Sequence, residues 1–115
     1  MYSEQTTNYD NLKAGEYPVV QDVVTIASGA ALSKGSVLAL GSNGKYSLAA
    51  GTTAIAAGKL AILLEDADAA SADKTALVAL TGEFNEAAVT FGEGATIAIN
   101  KVNATAQGIF FKKVI

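Results

Sequence analysis

The first sixteen residues carry no regular pattern of apolar and polar positions. Their apolar side chains are scattered, with neither the two-residue period of a strand nor the 3.6-residue period of a helix. A segment without a continuous apolar face gains too little from burial to offset the entropy lost on ordering. Residues 1–16 are therefore predicted to form an extended arm, mobile in the free protein, ahead of a folded domain over residues 17–115.

From Tyr17 onward, short runs of apolar and β-branched residues alternate with turn signals. The first run, 17–27, ends at Ser28 and Gly29, and the runs 36–40 and 45–48 flank the sequence GSNG. Asn-Gly between two such runs favours a hairpin, because both residues accept a positive φ. The sequence of the first half of the folded domain therefore predicts three strands, of which the second and third are paired.

The second half continues with apolar runs separated by polar segments. Residues 59–65 contain a continuous apolar run, which predicts a buried strand. Residues 66–73 are predicted to form a polar loop. Residues 75–81 predict another strand, closed by Gly82, and 109–115 predict a terminal strand.

For two segments the sequence pattern does not distinguish a strand from a helix. Residues 86–91 fit either a strand or a short helix. Residues 95–107 contain many β-branched residues, which favours a strand, but Ile99, Val102 and Ala106 fit one face of a helix. Six to eight short strands in all predict a mainly β domain, compact and barrel-like or sandwich-like, with at most one or two short helices.

The composition of the chain limits the classes of function that it can have. The net charge is −3 and all eight basic residues are lysines, so the phosphate and base contacts that arginine makes with nucleic acids are missing. The adjacent Lys112 and Lys113 predict a solvated strand edge. There is no Cys and no His, which removes disulfides, thiolate metal sites and the commonest general base. We therefore expect neither a nucleic-acid partner nor a cofactor or metal ion.

The chain has no run of about 18 apolar residues and no apolar core of a signal peptide near its start. A soluble protein made in a cytoplasm, without membrane contact, is therefore expected.

Two candidate sites built on acidic residues find little support in the sequence. A calcium loop starting at Asp66 fails, because Ala70 and Ser71 stand where an oxygen donor and glycine are needed. Glu83 and Glu86 are close enough in sequence to be paired carboxylates, but nothing else supports a hydrolase. The sequence therefore predicts a protein that is not an enzyme.

Lys74 offers an alternative function. It follows Asp73 in a segment similar to the hairpin tip on which lipoyl and biotinyl carrier domains display their modified lysine. The alternative reading is thus a carrier barrel modified at Lys74. Ser71 and Thr75 depart from the carrier pattern, and turn formation by Asp73 next to a surface lysine explains the same residues.

Several stretches, in this order, resemble the head decoration proteins of lambda-type tailed phages. They are YPVVQDVVTIASG (17–29) with LSKGSVL (32–38), AILLEDAD (61–68) with ADKT (72–75), LTGEFNEAAVTF (80–91), and GIF (108–110). The resemblance covers the chain from about Tyr9 to its end. Residues 95–103 depart from it, since they are more β-branched than the helix usual in the family.

The resemblance implies a β-rich domain that forms homotrimers at three-fold and quasi-three-fold positions of an expanded icosahedral head. These would bind the major capsid protein on the outer surface of the virion and stabilise the shell against packaged DNA, after assembly in the host cytoplasm. The family's N-terminal arm orders on the capsid. For contacts within the arm and at its junction we single out these residues: Tyr9, Asn11, Leu12, Tyr17, Pro18, Val19 and Val20.

An unpatterned polar arm before a compact β domain also suits strand addition to an exposed sheet edge of a capsid protein. One hydrogen bond contributes only about 0.5–1.5 kcal/mol, so a single arm would bind weakly. Three arms on one trimer would act with avidity, which raises affinity by about 10²–10⁴.

Overall fold

The computed structural model describes residues 19–113, which contain nine strands and one α-helix. The elements are β1 (Gln21–Ile26), β2 (Ala30–Leu32), β3 (Val37–Leu40), β4 (Tyr46–Leu48), β5 (Leu60–Leu63), β6 (Ala67–Ala69), β7 (Lys74–Ala79), β8 (Gly82–Asn85), α1 (Ile97–Gln107) and β9 (Ile109–Lys112). A short 3-10 helix, Glu86–Ala88, follows β8. The predicted mainly β, barrel-like domain is confirmed.

Five strands close into a barrel in the order β1-β4-β3-β5-β7. Neighbouring strands are antiparallel except β1 and β4, which are parallel and meet at one pair, Ile26 opposite Tyr46. The hairpin predicted at GSNG joins β3 to β4, and Gly44 in its turn has φ +81°. The Gly41 N–H donates to the Lys45 carbonyl at 2.8 Å, which closes the turn.

The two faces of the barrel strands form two separate core clusters. In β5, Ala61 and Leu63 belong to the inner cluster, and Leu60 and Ile62 to the outer one, as the two-residue period of a strand requires. All four side chains are buried, so the continuous apolar run marked a strand covered on both faces.

The inner cluster fills the barrel and is closed by the short strand pair β2–β6. Leu32, Ala67 and Ala69 from this pair pack with Ile26 and Val78 of the barrel strands. The predicted polar loop 66–73 was therefore wrong in part, because β6 lies within it. Strands of three residues are too short to give a readable alternation, and this pair forms only because it covers the barrel's interior.

The outer cluster is covered by α1 and by the parallel pair β8–β9. Phe84, Ala104 and Phe111 from these elements are buried against the outer faces of β3, β5 and β7. Gly82 starts β8 rather than only closing β7, and the segment 86–91, open between strand and helix, contains a 3-10 helix that begins after the Asn85 cap. Residues 19–113 contain nine strands against the predicted six to eight, because β2, β6 and β8 lie outside the predicted strand runs.

Residues 95–107 contain the helix that the family resemblance implied, but its inward face is partly polar. The predicted face of Ile99, Val102 and Ala106 was wrong: Val102 is 78% exposed and Ala106 is also exposed. Asn100 and Ala104 are buried instead. The helix begins at the Thr96 cap, whose hydroxyl accepts from the Ile99 N–H at 3.2 Å, and ends at Gly108, whose φ is +102°.

The polar face has a clear physical reason, since it contacts the backbone of the loop before β5. Asn100 Oδ1 accepts from the Ile55 N–H at 2.7 Å, and Asn103 Nδ2 donates to the Ile55 carbonyl at 2.9 Å. Gln107 Oε1 accepts from the Gly58 and Leu60 N–H groups at 2.9 and 3.0 Å. Buried backbone groups need partners, and side-chain amides supply both donor and acceptor.

Candidate functional site

Two of the seven predicted contact residues lie in the described part of the chain. Tyr9, Asn11, Leu12, Tyr17 and Pro18 fall outside residues 19–113, so their part in the site stays a prediction. Val19 and Val20 are described, and they form the entry into β1.

Val19 and Val20 have different environments. Val19 is half-buried and packs on the outer core cluster, where a Cβ on Gly82 would come within 3.1 Å of its Cγ2 atom. Val20 is 52% exposed, but its backbone is fixed: its N–H donates to Thr81 Oγ1 at 3.1 Å, and its carbonyl accepts from the Leu80 N–H at 2.7 Å. Val19 therefore anchors the chain, and Val20 presents an apolar side chain to solvent at a fixed position.

Immediately after Val20, one edge of β1 is open among the described residues. β1 pairs with β7 along its whole length, from Gln21 opposite Ala79 to Ile26 opposite Lys74. On the other side, its strand partner β4 reaches it only at Ile26. The segment Gln21–Thr25 thus has the character of an edge strand, although it belongs to a closed barrel.

The directions of the backbone N–H and carbonyl groups identify which residues of β1 face this open edge. The Val20 carbonyl faces β7, and the Ala27 N–H donates to the Tyr46 carbonyl of β4 at 2.8 Å. Because hydrogen-bonding direction alternates along an antiparallel pair, the N–H of Val23 points to the open side. It is taken by the Asp22 side chain, whose Oδ1 accepts from it at 2.8 Å. Val23 is 63% exposed, so the edge combines an apolar side chain with a carboxylate that covers the backbone.

The barrel seam between β1 and β4 is held from its far end by Asp73. Its Oδ2 atom lies 2.6 Å from Lys45 Nζ, and its Oδ1 accepts from the Ser28 N–H at 2.8 Å. The hydrogen bond from Lys45, then that from Ser28, lowers the pKa of Asp73 below its ordinary 3.8. Nearby, burial and then the Asp22 carboxylate raise the pKa of Tyr46 above its ordinary 10.0.

The alternative site at Lys74 has a geometry different from the one it needs. Lys74 is exposed, but it is the first residue of β7 and stands opposite Ile26 of β1, rather than at the tip of a tight turn. Its neighbour Asp73 is engaged with Lys45 and Ser28. The display of a modified lysine on a hairpin tip therefore finds no support here.

The carboxylates considered for a hydrolase or a calcium loop do not come together in the structure. Glu83 lies 3.2 Å from Lys112 Nζ, whereas Glu86 faces a groove beside α1. Asp66 Oδ1 accepts from the Lys34 N–H at 2.8 Å. Within residues 19–113, no three carboxylates lie close enough together to hold a metal ion, and no helix is long and apolar enough to cross a membrane.

One surface that the sequence did not reveal lies between α1 and β9. Lys101 on the helix and Lys112 and Lys113 at the end of β9 line a groove of about 630 Å³. Only the adjacency of Lys112 and Lys113 was visible in the sequence. Lys101 joins them because the chain reverses at Gly108 and lays β9 against the helix that precedes it.

The described part of the site thus consists of an exposed strand edge at β1 with an apolar anchor, Val19, at its entry. Comparison with known families identifies the class of this protein as a structural protein of a bacteriophage head. The family model described as bacteriophage lambda head decoration protein D matches residues 1–109, and the chain belongs to that family. No curated protein and no solved structure matches the chain significantly. Membership gives it a role in decorating the capsid of the virion.

Proposed function

We propose that this protein binds the major capsid protein of an expanded icosahedral head as a homotrimer at three-fold and quasi-three-fold sites, and stabilises the shell against packaged DNA. Residues 1–16 are the capsid-binding arm, and residues 17–115 are the body that brings three arms together. The trimer sits on the outer surface of the virion, after assembly in the host cytoplasm, and the protein has no catalytic activity.

One observation carries this proposal: β1 follows the arm in the chain, and among residues 19–113 its segment Gln21–Thr25 has no strand partner on the side away from β7. Val20 is fixed by Leu80 and Thr81, so a strand that pairs with the arm has a fixed edge, Gln21–Thr25, available next to it in the chain. Strand addition supplies several backbone hydrogen bonds at once, and the exposed Val20 and Val23 add apolar contact. Because ordering the arm opposes binding, three arms on one trimer are needed for a stable complex.

Deletion of residues 1–16 tests whether the arm binds the capsid and the body forms the trimer without it. The shortened chain keeps Val19, the barrel and both core clusters, so we expect the same cooperative unfolding as the full chain and, by light scattering, three times its own, smaller chain mass. We expect its affinity for purified expanded capsids, measured by co-sedimentation, to fall by at least about a hundredfold, the scale of the avidity that three arms provide. Undiminished capsid binding by the shortened chain would refute the role of the arm.

The full chain provides the second measurement. Light scattering in the absence of capsids should give three times the chain mass of 11.6 kDa. A monomer across the micromolar range would contradict the trimer, whatever the result of the deletion.

A further inference from the structure

The groove between α1 and β9 carries an excess of positive charge. Among residues 19–113, its lining combines three lysines and a single carboxylate, Glu86, with Thr105 and the rings of Phe110 and Phe111. Within residues 19–113, Lys101 and Lys113 make no ion pair, and Lys112 pairs with Glu83 at 3.2 Å. In a chain with a net charge of −3, a concave surface with two unpaired cations and aromatic walls is suited to an acidic partner segment.

An acidic segment of the same chain is held at another place on the surface. Glu65, Asp66 and Asp68 are exposed, and we call them the acidic edge. Each is oriented by one backbone N–H: that of Leu77 reaches Glu65 at 2.8 Å, that of Lys34 reaches Asp66 at 2.8 Å, and that of Ala70 reaches Asp68 at 3.2 Å.

The acidic edge borders a shallow cleft. The cleft is about 300 Å³ in volume and is lined by Ala31, Leu32, Ser33, Asp66, Ala67 and Asp68. A lysine stem can lie along its alanine and leucine side chains while the ammonium group reaches the carboxylates.

The basic groove and the acidic edge cannot meet within one chain. The β2–β6 pair, which carries Asp68, packs on the inner core cluster, at the end of the barrel. The elements α1 and β9 pack on the outer cluster, on the opposite face of the same strands. The two surfaces therefore lie on different sides of the domain, and contact between them requires a second molecule.

We propose that the basic groove of one copy receives the acidic edge of a second copy of this chain. This inference rests on the proposed trimer and names the surfaces that form it. A contact between two different surfaces of identical chains is head-to-tail, and it closes into a ring when the rotation between neighbours is one third of a turn. Each copy then uses both surfaces once, and no charged surface of this pair stays unmatched.

The expected energetics are modest at each contact and large for the ring. A partly exposed ion pair changes an equilibrium by up to about fivefold, and it is screened by salt. Because the ring contains three equal contacts, a fivefold loss at each lowers the association constant of the trimer by about a hundredfold. The contact also buries the exposed parts of the groove's aromatic walls.

Charge exchange between the two surfaces provides the test. The variant Lys101→Glu/Lys113→Glu reverses the groove without removing an ion pair of the described structure. The control Lys59→Glu/Lys74→Glu makes the same change in net charge at exposed lysines outside the groove. Sedimentation equilibrium of the full chain, without capsids, should show trimer association at least about a hundredfold weaker for the groove variant and within about threefold of the original for the control.

Restoration within one chain separates charge pairing from a general loss of structure. Asp68→Lys alone should also weaken the trimer, and Asp68→Lys combined with Lys101→Glu/Lys113→Glu should recover at least about tenfold, because attraction is re-established at every contact of the ring. Raising the salt concentration should weaken the original trimer.

The outcomes distinguish this inference from the proposed function. A trimeric original chain whose groove variant remains equally trimeric would overturn the inference and leave the trimer intact. If that variant instead lost only capsid binding, the occupant would be the capsid protein and the inference would be wrong. A monomeric original chain would overturn both.

Discussion

Asn100 Oδ1 lies 2.7 Å from the backbone nitrogen of Ile55, although the two residues are 45 positions apart in the chain. Asn100 is fully buried, and its Nδ2 donates to the Thr96 carbonyl at 3.0 Å. This one side chain therefore ties the loop before β5 to the first turn of α1. It occupies the position at which an amphipathic helix normally places an apolar residue.

Removing this amide should be costly. Asn100→Ala leaves the Ile55 N–H without its acceptor, and an unsatisfied buried donor costs about 1–3 kcal/mol, to which the small cavity adds. We expect the free energy of unfolding in urea to fall by about 2–3 kcal/mol with an unchanged m-value. Asn103→Ala is the matched control: it removes one hydrogen bond at a half-buried site and should cost about 0.5–1.5 kcal/mol. Equal losses for the two variants would contradict this account.

The Asp73 clamp on the barrel seam should make stability depend on pH in the acid range. The folded protein holds the pKa of Asp73 below its ordinary 3.8, so the unfolded chain binds more protons between the two values. Stability from Asp73 is thus complete above the unfolded pKa and is lost as the pH falls through the folded pKa.

The measurement compares the original chain with Asp73→Asn in urea unfolding from pH 7 to pH 2. The difference in unfolding free energy should be constant above about pH 5 and should shrink on acidification. Amide hydrogen exchange provides a local readout, because the Ala27 N–H bonds to Tyr46 across the same seam and should exchange faster in the variant. A difference that is independent of pH would show that Asp73 acts without its charge.

The open edge of β1 can be tested with a single backbone donor. Val23→Pro removes the N–H that points away from β7, and proline is tolerated on the solvent side of an edge strand. We expect the variant to fold and to bind expanded capsids more weakly, by about two- to tenfold for each subunit, the contribution of one hydrogen bond. Val23→Ala keeps the N–H and separates its contribution from that of the apolar side chain.

Asp22→Ala should act in the opposite direction. It frees the Val23 N–H from the carboxylate that now covers it, so capsid binding should strengthen if a strand is added at this edge. Both effects would be measured by co-sedimentation with expanded capsids, with thermal unfolding as a check on folding. Unchanged affinity in both variants would exclude the β1 edge from the capsid contact.

The elements with a strong local signal were predictable from the sequence. The β3–β4 hairpin follows from Asn43-Gly44, and the buried strand β5 follows from a run whose side chains are covered on both faces. The family resemblance, carried by motifs from Tyr17 to Phe91, is confirmed by a match over residues 1–109. The arm contacts at Tyr9, Asn11 and Leu12 stay predictions, because they lie outside the described residues.

The elements that the sequence missed depend on distant partners. β2 and β6 are three residues each, too short for a visible period, and they form because together they cover the barrel's interior. The helix face was misassigned for the same reason: Asn100 is buried and Gln107 half-buried because they bond to loop backbone more than forty residues earlier in the chain. No local pattern contains that information.

By itself, the sequence determined a mainly β domain behind an unpatterned arm, a family, and a chemistry without histidine, cysteine or arginine. Local backbone preferences and side-chain inventories are properties of the chain alone. Only the tertiary structure decided that Gln21–Thr25 has one edge without a strand partner among residues 19–113, that Asp22 accepts the Val23 N–H there, and that Lys101, Lys112 and Lys113 share a groove. These features are juxtapositions, and they exist only after barrel closure and the reversal at Gly108 have brought separate parts of the chain together.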